Sequence, residues 1–98
     1  MIALDDQHFM MIEPLAPASA PLNDGLTELA KSVFRLAKPG TAWMGWHTCA
    51  CGAKSDTCDY VMPDGRITNS LMVHYVQCHR QDVPRSELGK LVAYSTAA

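Results

Sequence analysis

The 98-residue sequence lacks the features that mark several large classes of protein. It contains no apolar run near the ~20 residues of a membrane-spanning helix, so we expect no membrane partner. Residues 1–6 carry two acids and no basic residue, which predicts no secretory signal and favours a cytoplasmic location. The sequence also lacks three common motifs: a glycine-rich phosphate loop, an HExxH motif and a serine nucleophile elbow. It therefore shows no usual signature of nucleotide binding, zinc proteolysis or serine hydrolysis.

Charge is sparse and unevenly placed along the chain. The formal net charge is −2 and charged residues make up 18% of the sequence, which argues against a protein that coats nucleic acid. Only acids occur in the stretch up to Asp24. Basic residues outnumber acids between positions 65 and 90, and they are Arg66, Arg80, Arg85 and Lys90. This weakly basic region fits either an acidic partner or an ordinary solvated surface.

The length of the chain predicts one domain with a small core, which would gain from a disulfide or a metal as a staple. Three prolines between positions 13 and 21 predict an extended or flexible segment over residues 1–22. We expect a single compact domain over residues 23–94 and a frayed tail over residues 95–98.

The spacing of apolar residues predicts an N-terminal packing helix over residues 24–38, with Asp24 as its N-cap. A second helix is predicted over residues 68–80, beginning at a polar cap. A short C-terminal helix is expected after Pro84, and its inward-facing residues are predicted to be Leu88, Leu91 and Val92.

Two short strands are predicted between the first two helices. One strand would carry the cysteines at positions 49 and 51, and the other would cover residues 59–62. The Pro-Asp-Gly sequence at 63–65 predicts the turn that ends the second strand. Together with the helices, these strands define a small α+β fold.

Cysteine and histidine residues at both ends of this strand–helix region indicate a metal site. Side chains alternate along a strand, so Cys49 and Cys51 would point to the same face. His74 and His79 lie near the end of the predicted helix and could complete a tetrahedron. Two thiolates and two imidazoles are ligands that zinc prefers, and clustered cysteines in a reducing compartment more often bind metal than pair. We therefore predict a zinc site whose binding contributes on the order of 10 kcal/mol to folding.

Other residues compete for places in this ligand set. His47 would lie on the same strand face as the two predicted thiolates. Cys78 lies four residues after His74 and shares its helical face, and Cys58 lies in or beside the connecting loop. The sequence leaves open whether one of these three replaces a predicted ligand. A second alternative also stays open: the protein binds no metal, and the cysteines are core or redox residues.

The order strand, loop, strand, helix with these residues resembles the ββα Cys2His2 zinc finger family. Leu71, His74 and His79 match the Leu-x2-His-x3–5-His half of that family's motif, and Tyr60 stands where it has a core aromatic. The cysteine half differs, because one residue separates the cysteines and 22 residues separate Cys51 from the first histidine. The resemblance implies a zinc-finger-like core over residues 46–80. Residues 47–84 also resemble a type of small bacterial protein of unassigned function, which implies no activity.

These features favour a small zinc-stabilised binding module and predict no catalytic residue. The expected partner is a protein, including a second copy of the chain, and the expected surface is the outer face of the 68–80 helix. Nucleic acid is a weaker expectation because that helix lacks the side chains that read base edges. Trp43 and Trp46 fit either the core or an exposed aromatic surface, and we favour the core.

Two alternatives remain at this point. A metal-dependent enzyme would need three protein ligands and one open position, yet no glutamate lies between Trp46 and Pro84 to act as acid or base. A thiol or metal sensor would use the additional cysteines.

Overall fold

The computed structural model describes residues 7–42 and 44–97. Within these ranges the regular elements in chain order are helix α1 (Gly25–Phe34), strands β1 (Lys38–Ala42), β2 (Cys58–Val61) and β3 (Ile67–Thr68), helix α2 (Met72–Cys78), a 3-10 turn (Arg80–Asp82) and helix α3 (Arg85–Ala97). Expectations about residues 1–6, Trp43 and Ala98 lie outside the described residues. The small α+β class is confirmed.

Helix α1 begins where the sequence predicts and ends earlier. Asp24 is the N-cap, and its Oδ1 accepts a hydrogen bond of 3.0 Å from the backbone N–H of Thr27. The helix ends at Phe34, four residues before the predicted boundary. The prediction is wrong there because residues 38–42, with their proline and glycine, leave the helix and join the sheet as β1.

The sheet is antiparallel with strand order β1-β2-β3. Strand β1 lies at one edge, and all five of its residues are exposed. Gly40 relieves crowding in it, because a Cβ at this position would lie 2.9 Å from Cγ2 of Val61. The predicted second strand and its turn are present, with the strand at Cys58–Val61, one residue earlier than predicted. Gly65 makes the turn with a φ of 91°, and its N–H donates to the carbonyl of Met62 at 2.9 Å.

The predicted cysteine strand is wrong, because the chain forms a tight loop there. Residues 48–54, which we call the cysteine loop, are closed by a single bridge between Thr48 and Lys54. The N–H of Cys49 donates to the carbonyl of Ala53 at 2.7 Å. Gly52 reverses the chain with a φ of 97°, a conformation that glycine adopts without strain. The ββα-type unit therefore consists of β2, β3 and α2, and Cys49 and Cys51 precede it.

Helix α2 is shorter than the predicted 68–80 helix. Its first turn is preceded by Asn69, whose Oδ1 accepts from the N–H of Leu71 at 2.9 Å. The helix ends at Cys78, because the next residue, His79, has φ −130° and ψ 36°. Every residue of α2 is buried or half-buried, so the helix lacks the exposed outer face expected of a partner surface.

The core lies between the three helices and the N-terminal segment. Phe9 and Tyr94 meet edge to face with their ring centroids 4.9 Å apart. Leu91 is fully buried as predicted, whereas Val92 is 45% exposed and the prediction that it faces inward is wrong. The N-terminal segment has no helix or strand over residues 7–22, and it packs into the molecule through side chains such as Phe9 and Met10.

A buried ion pair fastens this segment to α3. The carboxylate of Glu87 is fully buried, accepts from the N–H of Met10 at 2.9 Å and lies 2.8 Å from Nζ of Lys90. The same ammonium donates to the carbonyl of His8 at 3.1 Å. The two opposite charges therefore lie in contact and each also bonds a backbone group, which offsets the cost of burying them.

Candidate metal centre

The four residues predicted as ligands are brought together by the fold. Cys49 and Cys51 lie in the cysteine loop, His74 lies in α2, and His79 follows α2 directly. One possible ligand atom from each lies within 4.8 Å of the others. The four side chains are thus positioned to bind a metal ion.

Local backbone structure explains how residues at these spacings converge. Cys49 and Cys51 meet through the reversal at Gly52, and not through strand alternation. His79 lies five positions after His74, which would place the two side chains about 140° apart around a regular helix. Because the helix ends before His79, its ring turns back toward His74, and the two ring centroids lie 5.0 Å apart.

The distances fit a tetrahedral ion. Sγ of Cys49 lies 3.3 Å from Nε2 of His79, and Sγ of Cys51 lies 3.3 Å from Nε2 of His74. Zinc–nitrogen bonds of about 2.0 Å and zinc–sulfur bonds of about 2.3 Å give tetrahedron edges of roughly 3.3–3.8 Å. The two sulfur–nitrogen distances of 3.3 Å already match such an edge. The 4.8 Å limit for the four ligand atoms exceeds the longest edge by about 1 Å, so an ion would draw the four side chains slightly closer.

The four residues form two pairs that differ in exposure. Cys49 and His79 are each 3% exposed, and we call them the buried pair. Cys51 is exposed and His74 is half-buried, and we call them the exposed pair. An ion held by all four would therefore have one edge inside the protein and the opposite edge at the surface.

Burial also sets the proton state of the metal-free centre. Burial raises the pKa of the Cys49 thiol, and the neighbouring Cys51 sulfur adds to this, although backbone N–H groups of Cys51 and Ala50 oppose it. Burial lowers the pKa of His74, helped by the nearby His79. Burial, with the charge of the two cysteines, raises the pKa of Tyr75 to about 12. At neutral pH a cation would therefore meet a neutral imidazole on His74 and displace a proton from Cys49.

One atom of the centre lacks a hydrogen-bond partner among the described residues. Nδ1 of His79 is buried and contacts no acceptor there. Metal-bound histidines usually donate this second N–H to a carboxylate or carbonyl, which fixes the ring and strengthens the bond to the metal. The ring of His79 is held instead by its aromatic neighbours His74 and Tyr75.

The competing residues lie outside this group. His47 points Nε2 at Oδ1 of Asp59, at 3.3 Å. Cys58 lies in β2, and Cys78 lines a cavity of about 320 Å³ between α2 and the N-terminal segment. All four cysteines of the chain are free thiols.

Arg80, which the sequence suggested as part of a basic surface, instead joins α2 to α1. Its Nη2 lies 2.9 Å from Oδ1 of Asp24, its Nη1 lies 3.1 Å from Oδ2, and its Nε donates to the carbonyl of Val76 at 2.8 Å. Hydrogen bonds from Arg80, and then from Thr27, hold the pKa of Asp24 well below its usual range. Sequence reasoning identified only the capping role of Asp24, because nothing local connects residues 56 positions apart.

Comparison of the chain with protein-family models, with curated proteins and with solved structures found no match. The zinc-finger resemblance therefore rests on the cysteine–histidine cluster and on the small α+β fold. Within residues 7–42 and 44–97, no helix has the length and apolar character needed to cross a membrane.

Proposed function

We propose that this protein is a small zinc-stabilised module that binds a protein partner, with Cys49, Cys51, His74 and His79 as the zinc ligands. The convergence of two sulfurs and two imidazole nitrogens within 4.8 Å carries the proposal. A tetrahedral set of this kind is typical of zinc, whereas magnesium, calcium and manganese prefer oxygen ligands. Four protein donors leave no position for a water, so we expect a structural centre without catalytic activity.

The zinc would fix the cysteine loop against α2. Few backbone hydrogen bonds hold this loop, whereas the helices pack around an apolar core that includes Met72, Val76 and Leu91. We therefore expect the ion to stabilise the loop first and the rest of the domain second. A cytoplasmic location belongs to the same proposal, because free thiols persist in a reducing compartment.

The surface beside the cysteine loop is the best candidate for partner binding. Met44 is fully exposed and Trp46 is 52% exposed, so the prediction that Trp46 lies in the core is wrong. Nζ of Lys54 lies 4.8 Å from the centroid of the Trp46 ring. Exposed tryptophan and methionine side chains are enriched at protein interfaces. Because α2 has no exposed residue, we do not propose a helix that enters a DNA groove.

Metal analysis tests the proposal directly. The purified protein should contain one equivalent of zinc, and Co²⁺ in its place should give the visible spectrum of a tetrahedral S2N2 centre. Removal of the metal should reduce amide chemical-shift dispersion first in residues 46–56. A protein without bound metal, or a spectrum that does not change when Cys49 or His79 is replaced, would refute the ligand set.

A further inference from the structure

The two sides of the candidate centre differ in how an additional ligand could reach the ion. The buried pair, Cys49 and His79, is covered by protein. In the exposed pair, Cys51 faces solvent in the cysteine loop and His74 is half-buried on α2. Replacement of a ligand on four-coordinate zinc can proceed through a five-coordinate state. The Cys51–His74 edge is therefore the more exposed approach for an incoming ligand.

One histidine of the centre lacks the hydrogen bond that usually fixes a metal ligand. Nδ1 of His79 has no acceptor among the described residues. Loss of such a partner typically lowers metal affinity by 10- to 100-fold. The missing contact therefore favours an ion that can be exchanged over one that is locked in place.

The cysteine loop contributes Cys49 to the core, but the polar contacts that join the helices and the N-terminal segment lie outside it. Glu87 and Lys90 anchor the N-terminal segment to α3, and Arg80 joins α2 to α1 through Asp24. None of these contacts involves residues 48–54. Removal of the ion would therefore loosen this loop while the helices keep their packing.

We propose that the centre exchanges its zinc with small thiol ligands, which attack at the exposed Cys51–His74 edge. This inference rests on the proposed zinc site and adds a means of unloading it. The sulfur of the incoming thiol forms a bond to zinc and gives up its proton. The bond between zinc and Sγ of Cys51 breaks, and Cys51 takes up a proton. Each sulfur keeps its oxidation state, so the step needs no oxidant or reductant.

Zinc transfer from the full chain to a chromophoric chelator tests the step. The transfer rate is measured at increasing concentrations of glutathione, and S-methylglutathione serves as a control without a free thiol. We expect the rate to rise in proportion to glutathione and to be unaffected by the methylated compound. A rate independent of glutathione would overturn the inference, because zinc would then leave only when the loop opens.

A charge change beside the exposed edge tests the location of attack. Ala50 is exposed between the two cysteines and is not a ligand. Glutathione is an anion, so A50K should raise its rate constant and A50E should lower it, each by about two- to threefold at low salt. The matched variants T96K and T96E, on the exposed side of α3, should leave the rate unchanged. Equal effects at both positions would overturn attack at this edge.

The outcomes separate the two proposals. A chain that takes up no zinc refutes the proposed function, and this inference is refuted with it. A chain that binds one equivalent of zinc and releases it at a thiol-independent rate keeps the proposed function and refutes the exchange.

Discussion

The ion pair between Glu87 and Lys90 provides the sharpest test of what holds the domain together. Glu87→Gln removes the negative charge but keeps an oxygen for the N–H of Met10. The ammonium of Lys90, whose side chain is 14% exposed, would lose its carboxylate while keeping the carbonyl of His8. Removing one partner of a buried pair costs about 3–5 kcal/mol, and the partial exposure of Lys90 places the expected loss near 3 kcal/mol.

Urea denaturation of the zinc-loaded protein measures this loss. A slope near 1.5 kcal/mol per molar urea, reasonable for a chain of this size, predicts a midpoint about 2 M lower for Glu87→Gln. Lys90→Met should cost a similar amount, because it leaves the buried Glu87 carboxylate without a cation. The double variant E87Q/K90M should recover most of the stability, because it buries no charge. A loss below about 1 kcal/mol for Glu87→Gln, or fully additive losses in the double variant, would refute the buried-pair argument.

Three further predictions concern the centre and its supports. Burial raises the pKa of Cys49, so zinc uptake displaces its proton, and any proton displaced from the second thiol adds to this; apparent affinity should therefore rise at least tenfold per pH unit between pH 6.5 and 8.5, measured by chelator competition. Asp24→Asn should lower the urea midpoint at pH 7. Since the carboxyl pKa is lowered in the folded state, this difference should shrink as the pH falls through that depressed value, and a constant difference would contradict the role of Arg80. Gly52→Ala should cost about 1–2 kcal/mol through its positive φ and weaken zinc binding, whereas Gly45→Ala, with open space around its Cβ position, should not.

Local sequence signals predicted the elements whose structure depends on neighbours in the chain. Asp24 capped α1 as expected, and the Pro-Asp-Gly sequence at 63–65 formed the turn after β2. These predictions succeeded because capping and turn formation involve residues within four positions of each other.

Predictions that required pairing or burial were less successful. The helix predicted over residues 24–38 ends at Phe34, and nothing in the local sequence indicated that residues 38–42 form edge strand β1. Cys49 and Cys51 converge through a loop that depends on Gly52, although the alternation rule had suggested a strand. Trp46 was expected in the core, and its exposure depends on what the rest of the fold covers.

The sequence by itself determined the chemistry of the candidate centre. Two thiols and two imidazoles at these spacings can converge only if the chain folds back once, and side-chain chemistry then selects a soft, tetrahedral ion. Tertiary structure alone decided which ligand pair is buried and which faces solvent. It also decided that Arg80 pairs with Asp24 and that Glu87 is enclosed beside Lys90. Exposure and long-range pairing arise from segments tens of residues apart, and local sequence patterns carry no information about them.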